Sequence, residues 1–341
     1  MDKGLEKFLK IVGIIAIIVF VLSALLTTVA VATDDSTEDD QTDSETTEQP
    51  SSKPVEKKDS AEAVVVSEPI EGDPYDELEQ LIGLEEVKEE VRGIANFAKT
   101  QKMRQAQGLK TPKMSFHLVF TGSPGTGKTT VARIVARIYK DLGILKKGHT
   151  VETDRSGLVA EYMGQTAIKT NAVVDSALNG VLFIDEAYAL VPEGGHANDY
   201  GQEAISTLLK RMEDDRDRLV GIIAGYPNEM KRFINSNPGL QSRFNKYINF
   251  PDYTAEELYR IFCMYMRKNE YTMSDDASAY LMEHMNYKVA HKERNFGNAR
   301  YARNIFEKSI QQQANRLAGR SGLSRKELTE ITLDDLKKAI H

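Results

Sequence analysis

The sequence predicts an α/β fold in which a three-layer domain with a parallel sheet is followed by a C-terminal helical domain. A glycine-rich loop at residues 122–129 lies between an apolar strand and a helix with apolar residues at regular spacing. Continuous apolar runs at residues 181–184 and 219–223 are typical of central parallel strands, which are buried on both faces. After Pro251 the strand pattern stops and only helical patterns follow, which indicates the second domain.

The first 72 residues differ in composition from the rest of the chain. Residues 11–32 form a run of 22 residues without a charge, long enough as a helix to cross a hydrocarbon core of about 30 Å. We therefore predict a transmembrane helix at residues 11–32; the alternative is a cleaved signal peptide, since Ala30-Val31-Ala32 resembles a cleavage site. Residues 33–72 are acidic, polar and poor in apolar side chains, which predicts a disordered linker.

The large α/β domain is expected at residues 73–252. Apolar residues at helical spacing from Val87 onward predict a helix that ends near Gly108. Residues 116–120 and 247–250 are short apolar segments with the length of strands. Because helices alternate with these strands and with the two apolar runs, the sheet should have helices on both faces.

The helical domain is expected at residues 253–341. A capping box, in which a Ser or Thr and a Glu three residues later satisfy each other's backbone N–H groups, marks a helix start. This pattern occurs at Thr254–Glu257 and at Ser324–Glu327. No strand pattern separates the two starts, so the segment should be helical throughout.

Charge and cysteine content exclude two classes of protein. The net charge is −7, but residues 34–48 hold eight acidic side chains and no Lys or Arg. The remainder is close to neutral, which argues against a general nucleic-acid binder. Cys263 is the only cysteine of the chain, so no disulfide framework exists.

The glycine-rich loop is a complete phosphate-binding loop of the form G-x-x-x-x-G-K-[ST]. Its residues are Gly122, Ser123, Pro124, Gly125, Thr126, Gly127, Lys128 and Thr129. Glycine lets backbone N–H groups turn toward phosphate oxygens, and the helix that follows directs its positive dipole end at the same place. We expect Lys128 to reach the β- and γ-phosphates of a nucleotide and the Thr129 hydroxyl to ligate Mg²⁺.

Two carboxylates, Asp185 and Glu186, follow the buried run at residues 181–184. A carboxylate at the end of such a strand, beside a phosphate loop, can hold Mg²⁺. A second carboxylate next to it can polarise the water that attacks the phosphate. The plain alternative is an acidic pair that merely ends a strand.

With both motifs in place, the chain resembles the AAA+ ATPases. It is most similar to the branch that contains the stage V sporulation protein K and the red-type Rubisco activase. The resemblance extends from about Tyr75 to about Leu317. The stretches that carry it are residues 81–84, 108–112, 122–130, 183–188, 199–204, 237–243, 296–300 and 313–317. It implies an AAA+ domain with a helical lid, binding of ATP and Mg²⁺, and assembly into a homo-oligomeric ring, in this family commonly a hexamer.

The resemblance also implies roles for individual residues. Ile82 and Gly83 would line the adenine pocket, and Thr130 would complete the phosphate loop. Arg243 would be the arginine finger that reaches the γ-phosphate of the neighbouring subunit. Arg300 would be the sensor 2 arginine, which brings the lid onto the nucleotide. Arg303 shares its helical face, so the sequence alone does not separate the two.

Two further sites are less well defined by the sequence. After the fourth strand many AAA+ proteins have a sensor 1 Asn or Thr, whereas this chain offers either Tyr226 or Asn228. The stretch Tyr162-Met163-Gly164 resembles the first pore loop of substrate-threading members, in which a flat aromatic ring grips an extended peptide. The alternative for Tyr162 is an ordinary buried tyrosine. Residues 193–199 are a candidate for a second central loop or a plain surface loop.

Four classes of function are compatible with a phosphate loop. The first two are an ATP-driven remodeller of protein clients and a nucleic-acid motor or loader, and Tyr162 together with the absence of a basic domain favours the remodeller. The third is a small-molecule kinase or a GTPase, but a guanine-specific Asn-Lys-x-Asp motif is missing, because Asn245-Lys246 is followed by Tyr247-Ile248. The fourth is a membrane scaffold that binds ATP but hydrolyses it poorly, and the intact Glu186 argues against it.

The expected location is a single-pass membrane protein with its ATPase domain on the cytoplasmic side. Lys3, Lys7 and Lys10 precede the apolar run, so the charge rule by itself places the N-terminus inside. The need for ATP argues for the opposite orientation, and we give it the greater weight. Sporulation or secretion at a membrane are processes that the resemblance suggests by analogy alone.

Overall fold

The computed structural model describes residues 64–67, 72–112, 115–191 and 200–341. The predicted transmembrane helix at residues 11–32, most of the predicted linker and the candidate loop at residues 193–199 lie outside these ranges. Within the described ranges, no helix combines the length and the apolar composition needed to cross a bilayer.

A six-stranded sheet forms the centre of the large domain, in the order β1-β3-β4-β5-β2-β6. Strands β2 to β6 run parallel, and β1 joins the edge of the sheet antiparallel to β3. The strands are β1 Val64–Ser67, β2 Leu118–Gly122, β3 Thr150–Thr153, β4 Gly180–Ile184, β5 Leu219–Gly225 and β6 Tyr247–Phe250.

Strand β1 lies within the segment predicted as a disordered linker, so the folded part begins before residue 72. Its first residue, Val64, pairs with Thr153 at the far end of β3. The three valines of β1 are β-branched and suit a pleated surface, but the polar composition around them hides this short apolar stretch. The boundary between linker and domain is corrected accordingly.

Helices cover both faces of the sheet, as predicted for a three-layer domain. Val181 and Phe183 of β4 pack into one hydrophobic core, whereas Leu182 and Ile184 pack into the other. The helices are α1 Pro74–Gln80, α2 Glu85–Ala106, α3 Lys128–Asp141, α4 Arg155–Leu158, α5 Thr166–Ala177, α6 Gly201–Asp214, α7 Pro227–Asn235 and α8 Pro238–Arg243. A 3₁₀ helix, Ala187–Leu190, follows β4.

The C-terminal segment forms a helical lid whose core is continuous with one face of the large domain. Its helices are α9 Ala255–Lys268, α10 Asp275–Ala290, α11 Ala299–Leu317, α12 Arg325–Thr329 and α13 Leu333–Ile340. Both predicted capping boxes are present, at Thr254 and at Ser324, and a third joins Thr332 to Asp335.

The lid also contains a two-stranded parallel pair that the sequence did not indicate, β7 Thr272–Met273 and β8 Glu330–Ile331. Next to it, Asp335 is buried, with 2% of its surface exposed, and accepts hydrogen bonds from Arg316 Nε at 2.9 and 3.0 Å. This ion pair fastens α13 to α11. Strands of two residues carry too few side chains to show a period, so their prediction from sequence fails.

Candidate active site

The phosphate loop connects β2 to α3, and a cavity of about 240 Å³ opens above it. The loop residues that line this cavity are Gly122, Pro124, Gly125, Gly127, Lys128, Thr129 and Thr130. Ser123 and Thr126 do not line it; the Thr126 hydroxyl donates to the Ser123 carbonyl at 2.9 Å and so closes the turn from within. Parallel strands bring their carboxyl ends to one edge of a sheet, so Asp185 and Glu186, which follow β4, and Tyr226, which follows β5, line the same cavity.

Lys128 bends back over the loop that precedes it. Its Nζ donates to the carbonyl of Gly122 at 2.9 Å and to that of Ser123 at 2.7 Å. Burial lowers the pKa of this ammonium group, while the carboxylates of Asp185 and Glu186 act in the opposite direction. The lysine is therefore a partly desolvated point charge at the place where a phosphate would lie.

The backbone between Asp185 and Glu186 has an unusual conformation. Glu186 has a φ of 47°, in the left-handed region, and its N–H donates to Asp185 Oδ1 at 3.0 Å. This backbone conformation costs free energy for a residue other than glycine, which is common at functional sites. The Asp185 carboxylate therefore accepts a hydrogen bond from the Glu186 backbone N–H, whereas the Glu186 carboxylate takes no part in this bond.

The residues at this edge suit Mg²⁺ as a ligand. The Thr129 hydroxyl and the Asp185 carboxylate both line the cavity, and Mg²⁺ takes oxygen ligands, usually one or two from protein together with phosphates and water. The described residues hold no cluster of three or more His, Cys, Asp or Glu side chains suited to a metal. The donor set therefore fits a cation that is shared with phosphate oxygens.

The two candidates for the sensor 1 position, Tyr226 and Asn228, differ in their distance from the cavity. Tyr226 lines the cavity, whereas Asn228 is exposed and lies outside its lining. Burial and the nearby Glu186 raise the pKa of Tyr226, and burial followed by Glu186 raises that of its ring neighbour Tyr188 to about 12. Both phenols are thus neutral hydrogen-bond donors, and the Tyr226 hydroxyl lies 3.4 Å from Asn295 Oδ1 of the lid.

Both candidate lid arginines line the cavity, but they differ in their partners. Arg303 Nε donates to Glu307 Oε1 at 2.7 Å on the same helix. The Arg300 guanidinium makes no hydrogen bond or ion pair with any residue that the structure describes. Its charge acts on Lys128 and Tyr226, which places the guanidinium beside the phosphate loop. Arg300 is therefore the arginine available to a bound nucleotide.

Arg243 lies at the end of α8, outside the lining of the cavity in its own chain. Its Nη2 is 3.5 Å from Glu213 Oε2, its Nη1 donates to the Gly239 carbonyl at 3.5 Å, and its buried Nε has no hydrogen-bond partner among the described residues. Its charge, together with burial as the larger cause, lowers the pKa of His117 to about 4. Arg243 is therefore not part of the nucleotide cavity of its own chain.

Ile82 and Gly83, the expected adenine contacts, are not among the residues that line the cavity. Gly83 instead lies against the lid, and a Cβ added to it would come within 2.0 Å of the Glu257 carboxylate. The lid contributes Tyr265 and Ala299 to the lining, which sequence reasoning missed. Tyr265 belongs to a helical apolar pattern that looks like core, so no signal in the sequence distinguishes it.

The predicted pore loop lies between α4 and α5 and points into solvent. Tyr162 is 67% exposed and Met163 is 82% exposed. Gly164 has a φ of 75°, and a Cβ added to it would meet no atom within 4 Å. Tyr162 is thus not a core residue, and the alternative of a buried tyrosine is wrong.

Comparison with known proteins places this site in a family. Residues 118–252 match the model of the ATPase family associated with various cellular activities, and residues 254–341 match an AAA lid domain. Stage V sporulation protein K of Bacillus subtilis is 42% identical over 261 residues, 76% of this chain and 80% of that protein. The chloroplastic Rubisco activase of Cyanidioschyzon merolae is 44% identical over 262 residues, 76% of this chain and 88% of that protein.

Among solved structures, the AAA domain of FIGL-1 superposes with a TM-score of 0.56 at 18% identity, covering 82% of this chain and 85% of that one. At this identity the likeness establishes the fold alone. The two relatives above carry the closer assignment. The chain therefore belongs to the AAA+ ATPase family, in the branch of stage V sporulation protein K and Rubisco activase.

Proposed function

We propose that this protein is a membrane-anchored, Mg²⁺-dependent ATPase that remodels or partly threads a protein client through the pore of a homo-oligomeric ring, a hexamer. The observation that carries the proposal is the exposed pair Tyr162 and Met163, on a domain whose phosphate loop, acidic pair and lid arginines line one cavity. A large apolar surface that does not pack within its own chain is suited to contact with another chain.

Hydrolysis is divided among residues of the cavity. Lys128 places its charge at the β- and γ-phosphates, which lowers the energy of the charge that develops there. Glu186 orients the attacking water and accepts its proton. Thr129 and Asp185 would hold Mg²⁺, which when bound neutralises negative charge on the phosphate oxygens.

Arg243 completes the site of the adjacent subunit. Arg243 lies outside the lining of its own cavity, and its Nη1 is held only by a long hydrogen bond to the Gly239 carbonyl at 3.5 Å, so the guanidinium can turn to a γ-phosphate presented by a neighbour. The exposed Glu213, 3.5 Å away, holds the guanidinium only weakly in the single chain. A ring follows from this division, since each nucleotide then needs two subunits.

The client contact is apolar and not specific for sequence. Tyr162 offers a flat ring, Met163 a flexible apolar chain, and Gly164 gives the loop freedom to move. A nucleic-acid motor or loader is the second candidate. It is disfavoured because the loop carries the acidic Glu161 and no Lys or Arg between residues 161 and 168.

Nucleotide binding is tested with Lys128→Ala in the full chain, compared with Lys99→Ala, an exposed lysine on α2. We expect Lys128→Ala to abolish ATP binding in equilibrium titration and Lys99→Ala to leave it unchanged. Equal affinity of both variants for ATP would remove the phosphate-loop assignment. Requirement for Mg²⁺ is measured by hydrolysis with and without a chelator.

Client contact is tested by photo-cross-linking to an unfolded peptide. The cross-linker is placed at position 162 and, as a matched control, at position 287, where Tyr287 is 59% exposed on the lid. In a Glu186→Gln background with ATP, peptide should label position 162 and spare position 287. Equal labelling at both positions would indicate non-specific contact and contradict threading.

Membrane attachment is proposed through residues 11–32, with the ATPase domain on the cytoplasmic side. The full chain should remain with membranes after alkaline extraction, and a variant that lacks residues 11–32 should be released. Protease added to sealed vesicles shows the side on which the ATPase domain lies. Release of the full chain by alkali would contradict the anchor.

A further inference from the structure

The carbonyl groups of residues 122–126 in the phosphate loop all have hydrogen-bond donors, and for three of them the donor comes from outside the loop. Lys128 Nζ satisfies the first two carbonyls, as described above. The next three, those of Pro124, Gly125 and Thr126, accept from the lid and from the segment that leads into it.

These three contacts involve consecutive carbonyl groups of the loop. Asn298 Nδ2 donates to the Pro124 carbonyl at 3.3 Å, and the backbone N–H of Ala299 donates to the Gly125 carbonyl at 3.1 Å. The Tyr253 hydroxyl lies 3.4 Å from the Thr126 carbonyl. The lid and its connection therefore hold three consecutive peptide groups of the loop from one side.

Holding a carbonyl also fixes the N–H of the same peptide. In a trans peptide the two groups point in opposite directions, and every described peptide of this chain is trans. The carbonyls of residues 124–126 are held toward the lid, so the N–H groups of Gly125, Thr126 and Gly127 point to the other side. Within the described part of the chain the N–H groups of Gly125 and Gly127 have no acceptor, which leaves them for an anion.

Asn298 is the centre of this arrangement. It is fully buried, and its backbone, with φ 47° and ψ −123°, lies outside the left-handed helical region in a conformation that costs free energy for a residue with a side chain. Its Nδ2 also lies 3.0 Å from Asp252 Oδ1, and its Oδ1 accepts from the Tyr253 N–H at 3.0 Å. One amide thus joins the phosphate loop, the connection between the domains and the start of α11.

The approach of lid and loop is close enough to couple their positions. A Cβ added to Gly125 would lie 2.2 Å from the carbonyl oxygen of Gly297, so the two backbones touch. Asp252 is tied in turn to Lys292 of the lid at 2.6 Å. A change in lid orientation cannot leave the loop peptides in place, because the donors of residues 298 and 299 move with α11.

We propose that Asn298 is a positioning residue through which the docked lid orients the peptide groups of the phosphate loop, so that phosphate binding and lid docking stabilise each other. The proposal rests on the nucleotide binding proposed above and adds the contacts through which phosphate binding affects the lid. The coupling is reciprocal, since a lid that favours the phosphate-binding loop must itself be favoured by phosphate. It is independent of Arg300, which acts on the ligand directly.

The test uses inorganic tripolyphosphate as the probe, because it engages the loop without a base. Asn298→Ala in the full chain should bind tripolyphosphate and ATP about 10- to 100-fold more weakly than wild type, since buried carbonyls lose their donor. The matched control is Asn286→Ala, also a lid asparagine whose Nδ2 donates to a backbone carbonyl, that of Met282 at 3.0 Å. Its affinity should equal that of wild type.

Hydrogen exchange of the Ala299 amide is the second measurement. If Asn298 only stabilised the fold, its substitution would not change the effect of tripolyphosphate on this exchange. Tripolyphosphate should slow this exchange in wild type and in Arg300→Ala, but not in Asn298→Ala. If Asn298→Ala fails to fold, Tyr253→Phe, which removes only the hydroxyl donor, takes its place and should show a smaller loss of affinity.

Two results would overturn the inference while leaving the ATPase intact. One is wild-type affinity for tripolyphosphate in the Asn298→Ala protein, or in Tyr253→Phe where that variant is used. The other is loss of the exchange response in Arg300→Ala, which would show that the arginine alone carries the coupling. Failure of wild type itself to bind ATP would instead remove the proposed function, and the inference with it.

Discussion

Substitution of Tyr162 by alanine separates a client-gripping tyrosine from a structural one. Because 67% of this residue is exposed, only about a third of it is covered in the folded chain. Full burial of a large apolar side chain contributes about 1.5–3 kcal/mol, so Tyr162→Ala should reduce the free energy of unfolding by about 1 kcal/mol at most. For a domain of this size the melting temperature should then fall by no more than about 2–4 °C.

The exposed two thirds is the surface that a client can cover. On the same scale it provides about 1–2 kcal/mol per loop, or about a 5- to 30-fold change in affinity for each contact. Tyr162→Ala should therefore retain ATP binding and basal hydrolysis and lose most remodelling of an unfolded protein. Tyr162→Phe should retain function, because the grip needs the flat ring and not the hydroxyl.

The comparison residue is Tyr139 of α3, which is 1% exposed and belongs to the hydrophobic core. Tyr139→Ala should cost about 3–5 kcal/mol of stability and lower ATPase activity together with the melting temperature. The assays are thermal unfolding, ATP hydrolysis and release of a trapped peptide, measured on all three variants. Full remodelling by Tyr162→Ala, or a loss of stability as large as that of Tyr139→Ala, would refute the reasoning.

The remaining predictions concern hydrolysis and stability. Glu186→Gln should bind ATP normally and hydrolyse it at least about 100-fold more slowly in single-turnover assays; normal turnover would end its role as the base. Arg243→Ala should lower hydrolysis about 10³-fold or more, and mixing it with Lys128→Ala subunits should restore some activity, unless the finger acts within its own chain. Gly93 lies in the interior of α2, and a Cβ added there would meet no atom within 4 Å. Gly93→Ala should therefore raise the free energy of unfolding by about 0.5–1 kcal/mol, measured as a higher denaturant midpoint, and a lower midpoint would contradict this. Burial raises the pKa of the Asp335 carboxyl, but its hydrogen bonds to the guanidinium on α11 and to the capping box outweigh this, and the net pKa lies below its ordinary value. Its stabilising contribution is therefore present above about pH 4 and lost as the pH falls through the lowered pKa, so Asp335→Asn should show a shallower loss of stability in acid.

Strong local patterns predicted most of the large domain. The buried run before Asp185 is β4, and Tyr247–Phe250 is β6 with the expected bounds. The glycine loop needs no long-range information, because its spacing already specifies a strand, a turn and a helix. Strand β3, Thr150–Thr153, was missed since its threonines and Glu152 give no apolar run.

Other features depend on residues that are distant in sequence. Tyr265 lines the cavity only because the lid folds back over the loop, and Asn298 acquires its partners from residues 124 and 252–253. The resemblance pointed to Ile82 and Gly83 for the adenine, yet neither lines the cavity in this chain. Exposure of Tyr162 likewise follows from tertiary packing, which the three-residue pattern Tyr162-Met163-Gly164 does not reveal.

Strand β1 has a consequence for the order in which the chain folds. It pairs residues 64–67 with residues 150–153, so its formation closes a loop that contains α1, α2, β2 and α3. Closing a loop of this length has an entropic cost. Only the pairing of four residues with β3, at a half-exposed edge of the sheet, offsets this cost. The nucleus of the domain should therefore form without it, and β1 should add to a sheet that is already assembled.

The same reasoning applies to opening of the native state. Edge strands with few buried contacts open at a lower free energy than the centre of a sheet. The amides of β1 should exchange with solvent well before those of β4 and β5, on either side of which other strands are paired. The phosphate loop follows β2, and three strands, β3, β4 and β5, lie between β2 and β1. The nucleotide site should therefore remain intact while β1 detaches and pairs again.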